Sequence, residues 1–226
     1  MKKGLVEIVF ILDRSGSMCG LEKETIGGFN STIEKQRNEA GDAYVSTVLF
    51  DGQMEVLHDR VPIREIPPLT TKEYFARGCT ALLDAIGNAI HHIRNVHKYA
   101  REEDRPEKTI VIITTDGYEN ASRKYSPEKV KMMIERQKSK YGWEFLFLGA
   151  NIDAIQTARS FGIDENHSAN YMPDSIGMEK LYDAEERFIR MHRCELSAAD
   201  LADWKSDVEA DYRFRKNRNR DGKEDF

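Results

Sequence analysis

Leu5-Val6-Glu7-Ile8-Val9-Phe10-Ile11-Leu12 is a nearly continuous apolar run that breaks off in Asp13-Arg14-Ser15-Gly16-Ser17. Apolar residues at consecutive rather than alternate positions describe a strand covered on both faces, the environment of a parallel sheet with helices above and below it. Tyr44 to Phe50, Thr109 to Thr115 and Trp143 to Leu148 have the same character, and His167 to Tyr171 reads as a short final strand. The stretches between them have helical spacing. Leu21 to Glu39 places Ile26, Phe29 and Ile33 on one face, and Ala81 to Tyr99 does the same with Leu82, Ala85, Ile86, Ala89, Ile90 and Ile93. Ser126-Pro127 opens a third helix, with the serine as cap and the proline at the first helical position, where no amide is needed. Ala154 to Ser160 is a short helix ending near Gly162, and Ser175 to His192 buries Leu181, Ala184, Phe188 and Met191. Asp51-Gly52 is a hairpin signal, so Met54 to His58 returns antiparallel. Pro62, Pro67 and Pro68 mark an irregular connection. Together these read as an α/β doubly wound, mainly parallel sheet with one antiparallel edge.

Composition agrees with a packed domain. The 226 residues are 40% hydrophobic and 9% aromatic, enough for a sizeable core. A net charge of -5 lacks the basic footprint of a nucleic-acid binder, and no apolar run approaches the roughly 18 residues that span a bilayer. The opening Met1-Lys2-Lys3-Gly4 before an apolar run imitates a secretory leader, but Glu7 interrupts it and no small-residue cleavage site follows, so a buried strand explains it better. Cys19, Cys79 and Cys194 are odd in number and irregular in spacing, which suggests no disulfide framework and a cytoplasmic location.

From Ser197 the character changes. Ser197 with Asp200 resembles a helix start, and Leu201, Trp204, Val208 and Tyr212 line one face before a basic run from Arg213 to Arg220 and an acidic end. Residues 1–194 are expected to form one metal-binding domain and 195–226 a helical extension. Its apolar stripe packs either on its own domain or on a partner, which leaves the oligomeric state open.

Three loops gather chemistry at one edge of the expected sheet. These are Asp13-Arg14-Ser15-Gly16-Ser17 after the first strand, Gly78-Cys79-Thr80 before the long middle helix, and Asp116-Gly117 after the Thr109–Thr115 strand. Open parallel sheets form sites beyond the carboxyl ends of their strands. Two carboxylates and three hydroxyls are hard oxygen donors, a set suited to Mg²⁺, with Mn²⁺ or Ca²⁺ possible. Asp13, Ser15 and Ser17 alternate, so an extended turn points all three at one place. Two carboxylates on a divalent ion leave it electrophilic, open to water or to an acidic group from another molecule.

These residues resemble the metal-ion-dependent adhesion site of the von Willebrand factor A family, written D-x-S-x-S, then T, then D. Asp13, Ser15, Ser17, Thr80 and Asp116 match the five positions in order, and the resemblance covers roughly residues 5 to 194. It implies a Rossmann-like three-layer αβα sandwich, with a six-stranded sheet of order 3-2-1-4-5-6. It also implies protein binding through the metal, a partner Glu or Asp completing the coordination. Cys79 departs from the family, where a second glycine commonly precedes the threonine. Asp84, one turn beyond Thr80, is either an acceptor behind the ligands or a stabiliser of the helix start. Arg14, Met18 and Tyr118 are expected around the mouth of the site, as a contact surface or as incidental loop residues. Cys19 and Cys79 are either packing residues or a redox-sensitive pair at the rim.

Other chemistries fit less well. Asp13 and Asp116 could simply cap helices, but the full set of five argues against that. An aspartyl phosphotransferase would carry a second carboxylate where Ser15 stands. Neither serine lies in a G-x-S-x-G elbow, and no histidine is evidently placed to activate one. His91 and His92 point about 100° apart on a helix and form no chelating pair. The expectation is a non-enzymatic, Mg²⁺-dependent protein-binding module. Alternatives are an accessory subunit of an AAA+ ATPase, metal-chelatase-like or stress-response complex and, last, a metal-dependent hydrolase.

Overall fold

The computed structural model describes residues 1–194 and 204–221, of 219–221 the backbone only. Six strands, β1 (Lys2–Asp13), β2 (Ala43–Phe50), β3 (Met54–Pro62), β4 (Pro106–Thr115), β5 (Glu144–Gly149) and β6 (Ser168–Asn170), alternate with α1 (Glu22–Arg37), α2 (Leu82–Tyr99), α3 (Pro127–Tyr141), α4 (Ala154–Ser160), α5 (Ser175–Arg193) and α6 (Ser206–Asp221). The sheet order is β3-β2-β1-β4-β5-β6. All neighbours are parallel except β2 and β3, which are antiparallel. Sheet, order and antiparallel edge are those expected.

The alternation of the strands explains their unbroken hydrophobicity. Ile8, Phe10 and Leu12 of β1 face one cluster with Phe29 of α1 and Leu181 and Phe188 of α5, while Val9 and Ile11 face a second with Ile86 and Ile90 of α2 and Ile134 of α3. Both faces are dry, so neither can be polar. Glu7 is the exception at 0% exposure, and its Oε2 accepts from Arg60 Nε (3.1 Å) and meets His97 Nε2 (2.6 Å). At α3 the expected cap is present, Ser126 Oγ accepting from the Lys129 amide with Pro127 behind it, and Gly142 ends the helix at φ 64°.

β3 differs most from expectation. β3 runs on to Pro62 instead of stopping at His58. It is an edge strand with exposed Glu55 and Asp59 and a positive φ at Arg60, so its pattern was too irregular to read. The proposed helix start at Ser197, Asp200 and Leu201 lies outside the described residues. Of the stripe itself, Trp204 and Val208 are buried in the α1/α5 cluster and Tyr212 is half-buried. Trp204 Nε1 donates to the Asn166 carbonyl (2.9 Å) and its ring meets Phe188 edge-on at 5.4 Å. These residues pack on their own domain.

Candidate metal centre

β1 and β4, adjacent and parallel at the middle of the sheet, deliver Asp13 and Asp116 to the same edge. Asp13 is the last residue of β1 and 1% exposed. Its Oδ1 accepts from the Ser15 amide (2.7 Å) and its Oδ2 from Thr115 Oγ1 (2.6 Å). Ser15 Oγ and Ser17 Oγ lie 3.0 Å apart, so the two hydroxyls of this loop do converge. Gly117 shows how the loops close together. A Cβ there would sit 3.0 Å from Ser17 Oγ and 3.4 Å from Thr80 Oγ1, which puts hydroxyls of the first and second loops against the residue after Asp116.

Backbone bonds hold the loops in this arrangement. The Gly16 amide donates to the Gly78 carbonyl (3.1 Å), and the Arg77 amide to the Arg14 carbonyl (2.8 Å). Gly78 has φ +69°, a conformation glycine adopts without strain. The Thr80 amide donates to Asn120 Oδ1 (2.9 Å), and the Asn120 amide returns to the Thr80 carbonyl (3.0 Å), joining the second loop to the third.

Electrostatics mark the site as a place that wants a cation. Burial pushes the Asp13 carboxyl up to about 6, against the hydrogen bonds from Thr115 and Ser15, and the nearby Asp116 adds to the rise. Burial likewise raises Asp116, against a bond from Ser17, and its Oδ1 is buried with no hydrogen-bond partner. Two buried carboxylates close together, one with an orphaned oxygen, are costly as anions unless something positive joins them. Ser17, Asp116 and Asn151 line a cleft of ≈ 410 Å³ that opens this edge to solvent. The donor set therefore suits a hard divalent cation.

The surroundings correct several expectations. Arg14 is 2% exposed and cannot be a contact residue. Its Nε meets Asp51 Oδ2 at 3.1 Å and its Nη1 meets Glu55 at 2.9 Å, tying the first loop to the β2–β3 hairpin. Met18 is 1% exposed and belongs to the core, because the turn Gly16–Met18 folds it under the loop. Tyr118, 67% exposed, does stand at the surface, as does Phe75 at 41%. Asp84 accepts from the amides of Arg123, Lys124 and Tyr125 (2.9–3.0 Å) and so anchors the chain leading to α3. Burial would raise its carboxyl, but those three amides hold it below the ordinary range. Cys19 and Cys79 are both exposed free thiols, so neither is a packing residue. His91 and His92 are occupied with Asn95 and Asp59.

Four residues near the site escaped the sequence reading. Thr115 orients Asp13, and Tyr74, 0% exposed, donates its hydroxyl to the Asp13 carbonyl. Asp51 holds Arg14 and Arg77 (2.8 Å) together. Glu119 accepts from the Leu83, Ala121 and Ser122 amides (2.7–2.9 Å), fixing the third loop to the start of α2. A polar residue beside a ligand was the available hint for Thr115, and a carboxylate in the loop after Asp116 the hint for Glu119; Asp51 looked like an ordinary turn residue.

No protein-family profile matches the sequence, and no curated protein matches it. Among solved structures the chain is similar to proximal thread matrix protein 1 from the mussel byssus, with a TM-score of 0.56 at 15% identity over 81% of this chain and 45% of that one. Another structure of that protein, described as having a zinc-occupied MIDAS motif, gives a TM-score of 0.55 at the same identity and coverage. The vWF domain of the type V pili tip protein Mfa5 from Porphyromonas gingivalis gives 0.51 at 11% identity, over 78% of this chain and 93% of that one. The chain thus spans less than half of the mussel protein. These likenesses establish a shared fold.

Proposed function

We propose that the chain is a Mg²⁺-dependent protein-binding module, with Asp13, Ser15, Ser17 and Thr80 as ligands and Asp116 binding directly or through water. The observation that carries this reading is the pairing of two buried carboxylates with three converging hydroxyls, Asp116 Oδ1 being left without a partner. The ion would neutralise the pair. A carboxylate from a partner protein would complete the coordination, because two protein carboxylates leave a divalent ion attractive to a third acid. The zinc-occupied MIDAS of the mussel protein supports a metal on this fold, and Mn²⁺ or Ca²⁺ would suit the same oxygens.

A binding role rather than hydrolysis is favoured by the histidines, whose polar contacts are made elsewhere: His58 with Thr47, His92 with Asp59, His97 with Glu7, His167 and His192 with Glu144. No general base of that kind reaches Ser15 or Ser17 among the described residues. Three exposed free thiols, Cys19, Cys79 and Cys194, fit a reducing, intracellular setting. No helix among the described residues is long and apolar enough to cross a membrane.

Calorimetric titration with Mg²⁺ tests the ligand set, and affinity capture from the native cell in Mg²⁺ and in EDTA tests the role. Wild type is expected to bind one ion and to retain partners only with the metal, while Asp13→Ala does neither. Unchanged Mg²⁺ affinity in the variant, or the same captured proteins in EDTA, would overturn the reading.

A further inference from the structure

Glu144, His167 and His192 meet at a place remote from the three loops. Glu144 is the first residue of β5, and His167 ends the short 3-10 turn (Glu165–His167) that leads into β6. His192 sits in the last turn of α5. One ligand-capable atom from each lies within 4.8 Å of the others. Glu144 Oε2 is 3.4 Å from His167 Nε2 and 3.9 Å from His192 Nε2. Both separations exceed the roughly 2.7–2.9 Å of a charge-assisted hydrogen bond. The first equals the separation of about 3.4 Å between two ligands of a tetrahedral ion with bonds near 2.1 Å, and the second is wider, so His192 would have to move in by a fraction of an ångström to ligate.

The His192 ring is oriented for this, while His167 Nδ1 is buried without a hydrogen-bond partner. His192 Nδ1 bonds the Phe188 carbonyl at 2.8 Å. A carbonyl only accepts, so Nδ1 carries the proton and the neutral ring turns the Nε2 lone pair toward Glu144. The Phe188 ring braces both imidazoles, with centroids 4.3 Å from His192 and 5.6 Å from His167. The turn bearing His167 is held by the Trp204 bond to Asn166 O and by Lys205 Nζ, which donates to the carbonyls of Glu165 (2.7 Å) and Ser168 (3.1 Å). The three side chains keep 36%, 28% and 12% of their surface, so an ion can enter and a water can fill a fourth position. Two lysines face the cluster: Lys108, whose Nζ donates to the His192 carbonyl (2.8 Å), and Lys138, which pairs with Asp164 (2.6 Å). Their charges disfavour a loosely held cation, so binding must come from direct ligation.

We propose that Glu144, His167 and His192 form a second metal centre for Zn²⁺ or a similar borderline divalent ion, pinning the end of α5 to β5 and the β6 turn. Two imidazoles and one carboxylate are the donors such an ion prefers, in contrast to the hard oxygen set at the other edge. The centre is independent of the Mg²⁺ reading.

The test uses the full chain carrying Asp13→Ala, so that the first site does not contribute, in excess Mg²⁺. Co²⁺ is titrated while its visible d–d absorption is followed, then displaced with Zn²⁺, and the unfolding midpoint is measured with and without Zn²⁺. One Co²⁺ is expected, with an intense tetrahedral spectrum and a raised midpoint in Zn²⁺. His167→Asn should abolish the spectrum, and Glu144→Gln should weaken binding by about tenfold or more. If circular dichroism shows His167→Asn unfolded, Glu144→Gln alone decides. Absence of Co²⁺ uptake by the Asp13→Ala chain, or unchanged affinity in Glu144→Gln, would overturn the assignment.

Discussion

Replacing Asp13 with Asn should stabilise the metal-free protein at neutral pH. The folded-state value of about 6 lies above the usual 3.8, so the folded chain holds that proton more tightly than the unfolded one. For a carboxyl raised in this way the cost of burial is absent below the unfolded value. It grows as pH rises through the window from 3.8 to about 6 and is complete above it. At about 1.4 kcal/mol per tenfold change in proton affinity, the full cost of the buried anion is roughly 3 kcal/mol. Asn removes that cost but cannot accept from both Ser15 and Thr115 as the carboxylate does, a loss of about 1 kcal/mol. Urea unfolding in EDTA should therefore find Asp13→Asn about 2 kcal/mol more stable than wild type near pH 7, and about 1 kcal/mol less stable near pH 3, below the unfolded value. Saturating Mg²⁺ should erase the neutral-pH advantage, since only wild type would gain from the ion, by about 2.7 kcal/mol at a hundred times its dissociation constant. A variant less stable by the same amount at both pH values would refute the reasoning and make Asp13 an ordinary structural acceptor.

Arg14→Met should destabilise by about 3 kcal/mol in urea unfolding, because it leaves buried Asp51 with Arg77 as its remaining cation; an exposed contact residue would leave stability unchanged. Glu185 of α5 is 0% exposed, its oxygens lack hydrogen-bond partners, and burial pushes its carboxyl up to about 8. Wild type should lose stability as pH rises from 4.5 through about 8, and Glu185→Gln should be roughly 4 kcal/mol more stable than wild type near pH 9 but not near pH 4, by the same unfolding assay.

The sequence by itself determined whatever depends on neighbours along the chain. Consecutive apolar residues in β1 required two covered faces, the Ser126-Pro127 pair set the start of α3, and the alternation of Ser15 and Ser17 brought their hydroxyls together. The strand order followed from the family resemblance. Only the tertiary structure decided what each buried face meets. Periodicity says that a residue is covered but not by what, so Arg14 and Met18 read as rim residues until the hairpin and the core closed over them. Long-range register decided the rest: Thr115 reaches Asp13 because β1 lies beside β4. The histidine pair beside Glu144 was invisible because its members come from different elements, whereas the adjacent His91 and His92 look in different directions.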